Sequence, residues 1–159
     1  MKTKVIRMNP QQLDMEGIRE AGEILKQGGL VKIVKEVPKS AKKLASVYWP
    51  GPLTMIFEKS DIVPYETTGG MDTVAVRMPD HPLAQALIRA GGSYVAAPSA
   101  NTSGRPSPTM ASHVEEDLDG KIDMVLDGGP VGIGLESTIV DFTEEIPTIL
   151  RPDISIRRW

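Results

Sequence analysis

The stretch Ala97-Pro98-Ser99-Ala100-Asn101-Thr102-Ser103-Gly104-Arg105-Pro106 follows an apolar run, Tyr94-Val95-Ala96-Ala97, that reads as a buried strand. Hydroxyl and amide side chains crowd into it beside Gly104, Arg105 and two prolines. Turn geometry requires some of these residue types. It does not require so many donors directly after a buried strand. In open α/β sheets, ligands lie in the crevice beyond the carboxyl ends of the strands. Short polar side chains and free backbone N–H groups there suit phosphate or carboxylate oxygens. A capped loop leading into the next helix is the plainer reading, and this segment alone does not separate the two.

The flanking sequence alternates strand and helix patterns. Residues 3–8 read as a short edge strand, and residues 13–27 as a helix with Ile18, Ala21, Ile24 and Leu25 at helical spacing. Gly28-Gly29 ends that helix and Leu30-Val31 begins a buried strand. Residues 38–47 form a second helix, with Pro38 near its start and Ala41, Leu44 and Ala45 on one face. Trp49-Pro50-Gly51-Pro52 is a rigid turn. Residues 53–58 and 73–78 are strands, with the loop Gly69-Gly70-Met71-Asp72 before the second. Asp80 caps a helix that has Pro82 in its first turn and runs to Ala90. Another helix starts over 109–117, and strands follow at 122–127, 137–142 and 146–150, the last reaching Arg151-Pro152. The expected fold class is therefore α/β, a sheet with flanking helices in one domain spanning 1–159.

Bulk composition narrows the chemistry. The chain has 159 residues, 40% hydrophobic and 25% charged, as in ordinary globular proteins. Its net charge of −3 gives no global attraction to nucleic acid, although a local basic face stays open. Cysteine is absent, which removes disulfides, thiolate catalysis and cysteine metal sites. Two histidines, His81 and His113, argue against a histidine metal centre, and no resident metal site is expected. No apolar signal core and no membrane-length apolar run is visible, so a cytoplasmic protein without membrane partners is the default.

Polar residues recur at the ends of the strand patterns: Thr73 with Arg77, Ser99 with Asn101, Ser137 with Thr138, and Arg151. Sheet topology could gather these at one rim. Arginines with hydroxyls and an amide make an anion site, because guanidinium binds phosphate or carboxylate in bidentate fashion. Plainer readings stand beside this one. Arg77 could pair with a surface carboxylate, Ser137 and Thr138 could be ordinary strand residues, and Arg151 could decorate a chain end. No Ser-His-Asp arrangement, nucleophile elbow, Walker lysine or dinucleotide fingerprint is present, so Ser99 reads as a ligand contact rather than a nucleophile.

Six segments in order carry a resemblance. They are Trp49-Pro-Gly-Pro-Leu-Thr54, Val74-Ala-Val-Arg-Met-Pro-Asp-His-Pro82, Ala97-Pro-Ser-Ala-Asn-Thr-Ser-Gly104, Leu126-Asp-Gly-Gly-Pro130, Glu136-Ser-Thr-Ile-Val-Asp141 and Leu150-Arg-Pro152. Together they resemble the YrdC-like family of threonylcarbamoyl-adenylate synthases. The resemblance implies a twisted mixed sheet with flanking helices and a concave ligand groove. It implies that L-threonine, bicarbonate and ATP give L-threonylcarbamoyl-AMP and pyrophosphate, for N6-threonylcarbamoylation of adenosine 37 in tRNA. It implies magnesium with the ATP phosphates, and downstream tRNA threonylcarbamoyl transferase machinery as the consumer of the product. Carried over by position, Ser99 and Asn101 are the Ser-x-Asn half of a catalytic Lys-x-Arg/Ser-x-Asn tetrad. Arg77, Ser99 and Ser137 contact L-threonine, and Thr73, Asn101, Thr109 and Arg151 contact ATP.

The sequence departs from that pattern after Gly28-Gly-Leu-Val31. The family's Pro-Thr-x-Thr-x-Tyr-Gly and Lys-x-Arg segment is missing, and Lys32 and Lys35 do not recreate it. Either the native protein carries the segment and this sequence omits it, or the chain is truly deleted. A true deletion would remove strands as well as catalytic groups and leave the protein unstable or inactive. Asp153 stands where the family has glycine. The chain stopping at Trp159 reads as the short form without a C-terminal domain. The alternative function is a non-catalytic module binding a nucleotide, tRNA or double-stranded RNA. A carbamoyl-transfer domain of the hydrogenase-maturation type ranks last.

Overall fold

Leu53-Thr54-Met55-Ile56-Phe57-Glu58 alternates large apolar residues with others, and a strand turns such residues to opposite faces. In the computed structural model, which describes residues 4–7, 30–92, 94–131 and 137–152, this segment is a central strand. The elements are β1 (Lys4–Arg7), α1 (Leu30–Ile33), α2 (Lys39–Tyr48), β2 (Leu53–Glu58), α3 (Tyr65–Thr68), β3 (Thr73–Arg77), α4 (Pro82–Ala90), α5 (Ala111–Leu118), β4 (Met124–Asp127), β5 (Thr138–Asp141) and β6 (Thr148–Arg151). The described residues fall into two compact units, one of 4–7 with 95–131, the other of 30–92, Tyr94 and 137–152.

The larger unit is built on a mixed sheet of order β3-β2-β5-β6. β2 runs antiparallel to β3 and parallel to β5, and β5 runs antiparallel to β6. Leu53, Met55 and Phe57 are buried on one face with Thr138, Val140 and Phe142. The Phe57 and Phe142 rings stack with centroids 5.5 Å apart, an arrangement worth roughly 0.5–1.5 kcal/mol beyond the area it buries. Helix α2 covers this face: Ala41 is fully buried, and Leu44, Ala45 and Tyr48 pack against the cluster. Its lysines, Lys39, Lys42 and Lys43, face solvent.

Between α2 and β2 the chain turns through Trp49-Pro50-Gly51-Pro52, with a cis Trp49–Pro50 peptide. The Trp49 indole Nε1–H donates to the Leu53 carbonyl at 2.7 Å. Gly51 N–H donates to the Met78 carbonyl at 2.8 Å, tying the turn to the residue after β3. A Cβ at Gly51 would lie 2.4 Å from the Tyr48 carbonyl oxygen, so the close approach requires glycine.

In the smaller unit β1 pairs in parallel with β4, where Val125 is buried. Gly129 has φ 94, and its N–H donates to Asp127 Oδ1 at 2.9 Å, which closes the loop after β4. No helix among the described residues is long and apolar enough to cross a membrane.

Three expectations are corrected. Residues 94–97 form no strand: Tyr94 and Val95 are exposed, and a short apolar run does not by itself make a strand. Leu30-Val31 does not begin a strand but lies in α1, one helical turn closed by Val34 N–H to the Leu30 carbonyl. Only Val34, after that turn, bridges to Lys59 beside the sheet. Asp80 does not cap α4; His81 occupies the cap without a side-chain hydrogen bond, and Pro82 takes the first helical position. The helix expected over 13–27, Gly28-Gly29 and Asp153 lie outside the described residues.

Replacing Gly51 with alanine forces backbone against backbone. Gly51→Ala is expected to lose about 1–3 kcal/mol in chemical denaturation. Gly69→Ala, at φ 64 with open space around it, should lose only about 1 kcal/mol. Equal losses at the two sites would contradict the packing at the turn.

Candidate functional site

One row crosses the four-stranded sheet. Arg77 on β3 lies opposite Thr54 on β2, Thr54 beside Ile139 on β5, and Ile139 opposite Arg151 on β6. Paired residues direct their side chains to the same face. Here it is the face opposite the core, because Leu53 and Met55 flank Thr54 and point inward. Three strand spacings put the Cα atoms of the two arginines about 14 Å apart.

Each guanidinium is anchored by its Nε–H to a backbone carbonyl. Arg77 donates to Gly51 at 3.1 Å and Arg151 donates to Ser137 at 2.9 Å. Among the described residues no carboxylate pairs with exposed Arg77, so the surface ion pair of the plainer reading is not formed. Ser137 is buried, and its hydroxyl lies 2.7 Å from that of Thr54. Arg77, Ser137, Arg151 and Thr54 thus gather at one end of the sheet.

Arg77 and Arg151 end their strands, whereas Ser137 and Thr138 lie at the start of β5, where a strand over 137–142 places them. In the mixed topology the ends of β3 and β6 meet the starts of β2 and β5. Thr73 opens β3 opposite Glu58. It shares the face of Arg77 but lies four residues away, about 13 Å along the strand.

Ser99, Asn101 and Thr109 belong to the smaller unit. Ser99 is exposed, follows no strand, and makes no hydrogen bond to a described residue. Asn101 Nδ2 donates to the carbonyls of Thr102 at 3.0 Å and Arg105 at 3.1 Å. Its Oδ1 is buried without a hydrogen-bond partner. Thr109 accepts from Val131 N–H at 2.9 Å and donates its own N–H to His113 Nδ1 at 3.4 Å. Asp117, on α5, receives Thr102 N–H at 3.1 Å and the Arg105 guanidinium. The Thr102 N–H first, and the Arg105 charge beside it, hold the Asp117 carboxyl below the usual carboxylate range. Arg105, paired with Asp117 and with Glu116 at 3.5 Å, is raised above its ordinary value.

Thr54 and Asp117 escaped the sequence reading. Thr54 carried a signal, a hydroxyl inside an otherwise apolar strand and within the Trp-Pro-Gly-Pro-Leu-Thr segment. Asp117 carried none, since a carboxylate in a helix with Glu115 and Glu116 reads as solvated surface. Lys35 pairs with Glu58 at 3.2 Å, and that hydrogen bond raises its pKa, so its ammonium is held at the far end of β2.

A family model named Sua5/YciO/YrdC, described as telomere recombination, matches residues 25–153. The threonylcarbamoyl-AMP synthase of Pyrococcus abyssi is 55% identical over 76% of this chain and 35% of its own length. That of Bacillus subtilis is 56% identical over 72% of this chain and 34% of its own. The chain thus spans about a third of these curated relatives. Among solved structures, P. abyssi Sua5 complexed with L-threonine superposes with a TM-score of 0.78 at 37% identity, covering 94% of this chain and 57% of that one. Escherichia coli YciO superposes with a TM-score of 0.70 at 22% identity, covering 89% and 76%, a likeness of fold.

The Thr54–Ser137 hydroxyl pair has a direct test. Thr54→Val keeps the strand shape and strands the buried Ser137 hydroxyl, with an expected loss of roughly 1 kcal/mol of stability. Thr54→Ser should retain most of it. Denaturation curves in which valine and serine behave alike would show that the pair contributes nothing.

Proposed function

The chain belongs to the Sua5/YciO/YrdC family, and on that premise we propose that it makes L-threonylcarbamoyl-AMP from L-threonine, bicarbonate and ATP. The observation that carries the reading is the row with arginines on both edge strands, Arg77 and Arg151, flanking the Thr54–Ser137 hydroxyl pair. The identity to relatives named threonylcarbamoyl-AMP synthase supports it.

The reaction must join two anionic reactants. The threonine nitrogen forms a bond to the bicarbonate carbon with loss of water. A carbamate oxygen then bonds to the α-phosphorus, and the bond to pyrophosphate breaks. Holding carboxylate and triphosphate close together opposes their repulsion and supplies much of the rate. In this proposal Arg77, Ser99 and Ser137 hold L-threonine, with Thr54 orienting the Ser137 hydroxyl. Thr73, Asn101, Thr109 and Arg151 hold ATP, and Ser99 and Asn101 act at the reacting atoms.

Among the described residues no cluster of three or more His, Asp or Glu side chains is placed to hold a metal ion. The proposal has magnesium arriving with the ATP phosphates, which supply oxygen ligands. Transfer of the product to tRNA by a downstream transferase, and a cytoplasmic setting, belong to the same proposal. One observation favours a competing binding module for nucleotide or double-stranded RNA: the absent Lys-x-Arg segment.

Pyrophosphate release, measured with single omissions of L-threonine and bicarbonate, separates the two. Release requiring both supports the synthase; ATP or RNA binding without release supports the module. Within an active protein, Arg77→Ala should raise KM for L-threonine and Arg151→Ala should raise KM for ATP, each roughly 10–100-fold, the scale of a lost charge-assisted hydrogen bond. If neither constant moves, the assigned site is wrong.

A further inference from the structure

We propose that Asp117 is a positioning residue, which sets the loop bearing Ser99 and Asn101 by clamping its turn to helix α5. The inference rests on the synthase reading for its consequence in catalysis, but not for the clamp.

The loop from Pro98 to Pro106 has no regular secondary structure, and apart from half-buried Asn101 its side chains are exposed. Burial therefore cannot order it, and order must come from polar ties. Thr102, Ser103, Gly104 and Arg105 form a turn closed by Arg105 N–H to the Thr102 carbonyl at 3.0 Å. Gly104, its third residue, has φ 87, the left-handed value that a type II turn needs there.

Asp117 grips this turn at both ends. Its Oδ2 accepts from Thr102 N–H at 3.1 Å, and its Oδ1 pairs with Arg105 Nη1. The Asp117 side chain is only 8% exposed and so sits close against the turn, while more than half of the Arg105 side chain stays in water; the bond between them is charge-assisted. Its own backbone belongs to helix α5, and its carbonyl accepts the Lys121 ammonium at 3.0 Å.

The clamp reaches Asn101 through the carbonyls it immobilises. Both Asn101 amide hydrogens are engaged, one by Thr102 and one by Arg105. The flipped amide would set Oδ1 against two carbonyl oxygens, so the orientation is determined by the turn. Oδ1 is left buried and unpaired, a state that costs stability and persists only while the two carbonyls stay in place. Arg105 is thereby committed to carboxylates, and the positive charge in the loop serves its shape rather than an anion.

The test uses the full chain with Asp117→Ala, Asp117→Asn, Asn101→Ala and the double variant Asp117→Ala/Asn101→Ala. Hydrogen exchange of the amides in 99–106 is followed beside that of β2 and β5. Asp117→Ala should speed exchange in the loop by roughly tenfold or more, leave the strands unchanged, and lower kcat for pyrophosphate release roughly 10–100-fold below the melting range. Asp117→Asn, which keeps an acceptor for Thr102 N–H, should recover part of both effects. The double variant should lose little more kcat than Asn101→Ala alone, because both act through one amide. Unchanged loop exchange, or fully additive losses, overturns the proposal. A wild-type protein that releases no pyrophosphate overturns the synthase reading alone. Loop exchange and the same cycle read in ATP affinity then decide on Asp117.

Discussion

β2 is hydrogen-bonded on both sides, to β3 antiparallel and to β5 parallel, and its register against each neighbour fixes which side chains meet water. Strand side chains alternate with a period of two, so a slip of one residue would exchange the faces. Leu53, Met55 and Phe57 would then leave the core, and Thr54 would enter it. The cost of exposing three large apolar side chains, about 1.5–3 kcal/mol each, makes that slip inaccessible. The same register aligns Thr54 with Arg77 and with Ile139, and Ile139 with Arg151. Core packing on one face therefore positions the polar row on the other, although the two faces share no side chain.

The turn before β2 locks that register from outside the sheet. Trp49 holds the Leu53 carbonyl with its indole, and Gly51 holds Met78 beyond the end of β3. Gly51 also offers its carbonyl to Arg77. One tight turn thus fixes the start of β2, the end of β3 and the head of an arginine. Arg151 repeats the device on the other edge, with Ser137 in place of Gly51. Anchoring through Nε leaves the planar terminal nitrogens of Arg77 directed outward, the geometry that bidentate anion binding uses.

The sequence was most legible where local pattern and tertiary packing agree. β2 was readable to the residue, because its alternation and its flanking Pro52 and Lys59 coincide with its pairing. Helix α2 was readable from Pro38 and the spacing of Ala41, Leu44 and Ala45. The polar ends of β3 and β6 were visible as arginines following apolar runs. Residues 94–97 misled, since a short apolar run fits a strand equally well whether or not a neighbour is there to pair with it. Leu30-Val31 misled for the same reason. Thr54 was visible as a residue but not as a partner of Ser137, 83 positions away. Only the parallel pairing of β2 with β5 brings them together, and that pairing has no local signature.

Asp117 marks the limit of local reading. A density of polar groups such as that of the loop after Ala97 fits ligand binding and a self-capped turn alike. Much of that density is turned inward. Asn101 uses both amide hydrogens within the loop, Thr102 N–H and the Arg105 guanidinium go to Asp117, and Gly104 supplies only a backbone angle. The Ser99 and Ser103 side chains stay exposed. A polar loop with no apolar anchor has to order itself by hydrogen bonds before it can present any group at a fixed place. Its composition therefore reports the cost of holding one or two groups still more than it counts the groups that touch a ligand.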